Sequence, residues 1–195
     1  MFTAIPRTAD TSEPLLPALA NRWSPRAFDS TATVPESDLT AMLEAARWSP
    51  SANNAQPWRF IVTRRGTPEF ATIFDNLTGF NRAWAGNAGV LLVAVAELRD
   101  ESGGEHPHAI YDLGQSIAHL SVQAHHLGLF VHQMAGFDAD RMQRAFHLND
   151  RLKAVTTVAI GHLGHAGSLP EALAKRENTP RSRIPLTDLL LVNAT

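Results

Sequence analysis

Apolar positions recur along the chain at helical spacing in several places. Leu39, Met42, Leu43 and Ala46 fall at i, i+3, i+4 and i+7, the repeat of one buried helical face, behind a start marked by Pro35 and Ser37. Phe70, Ile73, Phe74 and Leu77 form a second stripe after Thr67, a cap, and Pro68, a first helical residue. The longest helical segment is Tyr111 to Leu127. Its apolar face is Leu113, Ile117, Leu120, Ala124 and Leu127, and Gly128 ends it. Gly114, Ala118 and Ser121 form a line of small residues on the same segment, where a second helix or a ligand can approach. Asp138 caps a further helix, with Phe137 and Met142 placed as a hydrophobic staple.

Other apolar stretches read as strands. Phe60–Ile61–Val62 leads a strand to about Thr63, and Arg64–Arg65–Gly66 turns the chain back. Gly89 to Ala96 is a continuous, valine-rich apolar run, the pattern of a strand covered on both faces. Phe130–Val131–His132 is a short strand before Met134–Ala135–Gly136, and Val155 to Ile160 is another, closed by Gly161. Gly79–Phe80–Asn81–Arg82 is a polar break. Asp100 to Pro107, with Gly103–Gly104, reads as a mobile surface loop and a candidate cover for a site. Residues 1–16 read as a loose arm, and Leu15, Leu16, Ala18 and Leu19 begin a short apolar segment. Helices and strands alternate without internal repeat, which predicts an α/β or α+β class with a mixed sheet between helices.

The stretch Arg47 to Phe60 joins a helix to a strand through two prolines and a Ser/Ala/Asn cluster. Pro50 removes a donor and biases Ser49 away from the helical region, so the helix should end near Trp48. Asn53 and Asn54 tolerate unusual backbone angles. A tight polar elbow results, able to hold a flat polar ligand or to serve as a plain turn.

Composition narrows the chemistry. The 195 residues are 44% hydrophobic with a net charge of −2, which gives no sign of a nucleic-acid binder. Without cysteine there are no disulfides, thiol catalysis or cysteine-held metals. No run approaches eighteen apolar residues, and the first twenty carry no signal-like apolar core, so a soluble cytoplasmic protein with no membrane partner is expected. The pairs His106/His108, His125/His126 and His162/His165 lack a carboxylate at ligand spacing, so no metal site is expected. Gly161, Gly164 and Gly167 do not have dinucleotide-loop spacing, and neither Ser24 nor Ser51 lies in Gly-x-Ser-x-Gly. Trp58 fits the core. Arg22 and Arg26 flank Ser24 and Pro25, a group suited to phosphate because arginine offers paired planar donors.

Several pieces then stand in a telling order: Arg22–Trp23–Ser24–Pro25–Arg26–Ala27–Phe28, Ser49 to Trp58, Phe80–Asn81, Asp112–Leu113–Gly114, Leu127–Gly128–Leu129, Ala159–Ile160–Gly161 and Arg181 to Leu186. Together they closely resemble the FMN-dependent nitroreductase family, from about Leu19 to Leu186. The resemblance implies an α+β sandwich, a mainly antiparallel sheet flanked by helices, in an intertwined homodimer with FMN at the interface. It implies residues 1–18 as an arm and 19–195 as one FMN-binding domain with a C-terminal tail. Arg22 and Ser24 match phosphate positions, with Trp23 between them, and Arg26 matches a position near N1 and O2 of the ring. Pro50, Ser51, Ala52 and Asn54 match positions along the flavin supplied by the other subunit. Asn81 matches a ring contact, Ala135 and Gly136 the backbone near N5, and Arg181 and Arg183 the C-terminal phosphate pair. The family often has glutamate where Ala135 stands, so only the backbone role carries over. The implied activity is hydride transfer from NADH or NADPH through flavin N5 to a small acceptor such as a nitroaromatic, quinone or enone. It is ping-pong and needs no catalytic side chain. The alternatives are an FMN-sequestering or sensing flavoprotein, and a flavin-fragmenting or dehalogenating branch of the same fold.

Overall fold

The computed structural model describes residues 7–194. In order the elements are α1 (Pro17–Asn21), α2 (Glu36–Arg47), β1 (Trp58–Arg64), α3 (Pro68–Asp75), β2 (Val90–Glu97), α4 (Ala109–His126), β3 (Phe130–Met134), α5 (Ala139–Ala145), β4 (Leu152–Gly161) and α6 (Glu171–Glu177). The four strands form one antiparallel sheet in the order β1-β2-β4-β3.

All eight residues of β2 are buried, as its unbroken apolar run requires. Its side chains alternate between two cores. Val90, Leu92, Ala94 and Ala96 meet Leu39, Met42, Leu113, Ile117 and Leu120 of α2 and α4. Leu91, Val93 and Val95 meet Phe70 and Ile73 of α3, Met142 of α5 and Leu173 of α6. The sheet therefore lies between two helical layers, and each fully buried leucine contributes about 1.5–3 kcal/mol by leaving water. Trp58 is buried in the α2/α4 core.

Local chemistry sets the ends. Thr67 accepts from the Phe70 N–H and Asp138 from the Arg141 N–H, each satisfying a donor at a helix start. Phe137 and Met142 share one core cluster, where a staple places them. Gly128 takes φ +75° just past α4.

The strands are longer than apolar runs alone predict. β4 begins at Leu152 because Leu152 and Lys153 pair with Glu97 and Ala96, and a register shift beside Val95 accommodates Val155. β1 begins at Trp58 and β3 continues to Met134 for the same reason: backbone pairing, not hydropathy, sets their length. Two short helices, α1 and α6, escape a periodicity reading because each offers too few turns to show a stripe.

The sheet has two distinct ends. At one stand Trp58, Glu97 and Leu152; at the other stand Arg64, Val90, Gly161 and Phe130. Helix α4 starts beyond the first and finishes at the second. Residues 98–106 lie at the first end and are tied rather than loose. Asp100 N–H donates to Gly104 O at 2.9 Å, its carboxylate accepts from Ser102 and Gly104, and His106 N–H reaches Leu98 O at 2.8 Å. The small-residue line on α4 is not packed against anything in its own chain at Gly114, where an added Cβ would meet open space. Ala118 is exposed, and buried Ser121 donates to Ile117 O.

Candidate functional site

The run Arg22 to Asp29 is stitched to the end of β4. Gly164 N–H donates to Ala27 O at 2.8 Å and Asp29 N–H to His162 O at 3.0 Å. A Cβ on Gly164 would lie 2.5 Å from the Phe28 carbonyl carbon, so only glycine allows this approach. Ala27 and Phe28 are buried, and Trp23 meets Phe130 edge-on at 6.1 Å. The Arg7 guanidinium lies 4.0 Å over the Trp23 ring, a favourable cation–π placement.

Three arginines gather here. Burial, then the neighbouring Arg183, holds the Arg22 guanidinium below its ordinary pKa. Burial lowers Arg181 too, followed by Arg22, Arg183 and Arg7. Arg181 is anchored by Arg7 O and by Ala20 O at 2.7 Å, and Arg183 donates to Ser182 O at 2.8 Å. Among the described residues no carboxylate pairs with any of the three. His125, at the last turn of α4, is lowered by burial and then by Arg22 and Arg181.

Arg26, unlike those three, meets a carboxylate. Its main-chain N–H and that of Ala27 donate to Glu177 Oε1 at 2.7 and 2.9 Å, and its guanidinium faces Glu177 Oε2 at 3.8 Å. Between the two arginines, Ser24 is exposed and Pro25 O accepts from His132 Nδ1–H at 2.8 Å. Burial pushes His132 down to about 4, Arg26 adding to that and the bonds to Pro25 and Ser24 opposing it.

A second group lies past the other end of β3. Asn81, on a single 3₁₀ turn, donates from Nδ2 to Gly136 O at 3.1 Å, and Thr78 N–H reaches the same oxygen at 2.9 Å. Ala135 is exposed beside them. Phe130 to Gly136 spans about 20 Å of extended chain, so the arginines and the Asn81–Gly136 contact flank the outer edge strand.

The elbow lies elsewhere. Asn53, Asn54 and Gln56 take φ of 52°, 54° and 50°, which lets Ser51 Oγ accept from Gln56 N–H at 3.0 Å. Ala52 N–H donates to Asp112 Oδ2 at 3.1 Å, and Glu97 N–H to Pro57 O at 2.8 Å. Pro50, Ser51, Ala52 and Asn54 thus sit at the first turn of α4, while Arg22 and Arg181 neighbour His125 in its last turn. Asp112 and His125 stand thirteen positions apart on that helix, about 20 Å. One chain therefore brings together Arg22, Trp23, Ser24, Arg26, Arg181 and Arg183, sets Asn81, Ala135 and Gly136 along β3, and holds the elbow apart. Loop 98–106 stands beside the elbow, away from Arg22 of its own chain.

Four residues here were not visible as site residues in sequence. Arg7 lies in a stretch without periodicity, and Glu177 closes a helix too short to read. His132 is half-buried, and its one signal was its place inside an apolar strand. Asp112 had a signal, as an acid in the first turn of a helix.

A family model described as Nitroreductase family matches residues 19–71. The chain is 36% identical over 136 residues to an uncharacterized 15.4 kDa protein of Mycolicibacterium smegmatis, covering 66% of this chain and 90% of that one. It is 41% identical over 73 residues to the major NAD(P)H-flavin oxidoreductase of Aliivibrio fischeri, covering 36% of this chain and 34% of that protein. A solved structure described as an oxidoreductase containing FMN superposes with a TM-score of 0.89 at 34% identity, covering 97% of this chain and 96% of that one.

Proposed function

Because the chain belongs to the nitroreductase family, we propose that it is an FMN-dependent oxidoreductase, using NADH or NADPH to reduce a small organic acceptor. The observation that carries this is the Arg22/Arg181/Arg183 cluster. Two partly desolvated cations, Arg22 and Arg181, beside an exposed third, Arg183, with no carboxylate among the described residues paired to any of them, suit a dianionic phosphate. Each charge-assisted bond to that phosphate contributes on the order of 1.5–3 kcal/mol.

Bound FMN supplies the chemistry, its N5 relaying a hydride from nicotinamide to acceptor. The protein's part is placement. Arg22, Ser24, Arg181 and Arg183 hold the phosphate end, beside Trp23, which carries Arg7 on its face and meets Phe130 edge-on. Arg26 serves the pyrimidine edge. Asn81 and the backbone of Ala135 and Gly136 serve the ring along β3. Pro50, Ser51, Ala52 and Asn54 come from a second copy, since the elbow of the same chain is about one helix length away. The open face of α4 supports that pairing: Tyr111 is 69% exposed, Trp48 past the end of α2 is 75% exposed, and among the described residues nothing fills the space over Gly114. A homodimer with two sites follows.

Purified protein should be yellow, hold about one FMN per chain and consume NADH or NADPH when given a quinone or a nitroaromatic. Colourless protein that does not take up added FMN refutes the assignment. Yellow protein without turnover points instead to storage or sensing of the flavin.

A further inference from the structure

Glu177 is the last residue of α6, is 4% exposed, and stands where a helix C-terminus disfavours an anion. A buried carboxylate at such a place is costly unless it is paired and hydrogen-bonded. Its partners all belong to the candidate site. Oε1 takes the main-chain N–H groups of Arg26 and Ala27, and Oε2 faces the Arg26 guanidinium at 3.8 Å with no hydrogen bond of its own. The Glu177 main-chain oxygen accepts from Arg7. The other titratable groups that feel Arg26 are Arg7 and His132.

Five arginines thus share this end of the sheet, and one carboxylate divides them. No carboxylate among the described residues pairs with Arg22, Arg181 or Arg183. Arg7 and Arg26 surround Glu177. A flavin gains negative charge at its pyrimidine end on reduction, so an arginine there favours the reduced form. The strength of that bias depends on how much of the cation is already balanced from behind.

We propose that Glu177 is a positioning residue acting through Arg26: it fixes the guanidinium's place and balances part of its charge, keeping the reduction potential of bound FMN lower than Arg26 alone would set it. This rests on the FMN reading above.

The test is the midpoint potential of bound FMN, from visible spectra during a dye-equilibrated reductive titration of the holoprotein. Glu177→Gln keeps an acceptor for both N–H groups and removes the charge. Its potential should rise by about 30 mV, the equivalent of a tenfold gain in the ratio of reduced to oxidised FMN affinity for a two-electron couple. Arg26→Gln, which leaves Glu177 unbalanced, should lower it. In the Arg26→Gln background, Glu177→Gln should produce a clearly smaller rise. An unchanged or lower potential in Glu177→Gln overturns the proposal, as does a full rise without Arg26. Should Glu177→Gln not fold, Arg26→Gln decides: a potential at or above wild type overturns it. Wild-type protein that takes up no FMN fails the functional reading itself, an outcome distinct from holoprotein whose potential does not move.

Discussion

The side-chain amide of Asn81 and the main-chain oxygen of Gly136 are joined by a 3.1 Å hydrogen bond across 55 residues of sequence. The contact is so close that a Cβ on Gly136 would lie 2.8 Å from Asn81 Nδ2 and 3.4 Å from Thr78 O. Gly136→Ala should therefore push Asn81 out of place, at about 1–3 kcal/mol of overpacking. FMN affinity should fall with it. In an Asn81→Ala background the same change should cost much less, since the clashing atom is gone. A double-mutant cycle on FMN affinity and melting temperature checks this; strictly additive effects would mean the contact is not what excludes a side chain.

Arg22→Ala and Arg183→Ala should each weaken FMN binding by roughly 10- to 100-fold, from about 1.5–3 kcal/mol per lost charged bond. Stability of the apoprotein should hold or rise slightly, because each substitution relieves repulsion within the cluster. Arg47→Ala, whose partner is exposed Glu44 on the same helix, is the control and should leave FMN affinity alone. Fluorescence titration with FMN measures all three.

Acid should destabilise the protein through His132. Its pKa falls from 6.5 unfolded to about 4 folded, so between those values the unfolded chain binds more protons. The stabilisation is complete above about 6.5 and is lost as pH falls towards 4, for a total of about 3 kcal/mol. His132→Asn keeps a donor near the Nδ1 position for Pro25 O and cannot be protonated. Its denaturation midpoint should be flatter over this range, and a slope equal to wild type would assign the acid limb to other groups.

Co-refolding two inactive variants should restore FMN binding. One carries Arg22→Ala and Arg183→Ala; the other carries Asp112→Ala, which removes the acceptor that holds Ala52. If each site draws the elbow from one chain and the arginines from the other, mixed dimers contain one intact site. Binding should recover to about a quarter of the wild-type capacity, by random assortment of two chains into dimers. No recovery would place both halves of the site in one chain.

Turnover should be ping-pong. On the proposed reading both substrates would use one face of the flavin ring, so the nicotinamide product would leave before the acceptor enters. Hydride transfer needs alignment at contact distance rather than a side-chain acid. Double-reciprocal plots at several acceptor concentrations should be parallel; intersecting lines would reveal a ternary complex.

The sequence was most legible where hydropathy repeats over several turns. The faces of α2, α3 and α4 and the doubly buried β2 follow directly from their residue spacing. The elbow's unusual angles were foreseeable at Asn53 and Asn54, though not at Gln56, whose φ of 50° is set by closing the turn onto Ser51. Relations across the chain were not legible. Nothing near Glu177 announces that its carboxylate caps the Arg26 and Ala27 amides 150 residues earlier, and Arg7 gains its role only when Trp23 comes beneath it. The divergence of Arg22 and Arg26, four residues apart, likewise depends on what each meets in space.

Strand β2 has every one of its eight residues buried, with hydrogen-bonded neighbours on both sides. No local opening can wet its ladder amides without lifting β1 or β4 and parting both cores. In deuterated water these amides should exchange together and last, at the rate set by global unfolding. They form a built-in gauge: whatever binds the folded protein alone slows that exchange by the full factor of its binding, however far from β2 it sits.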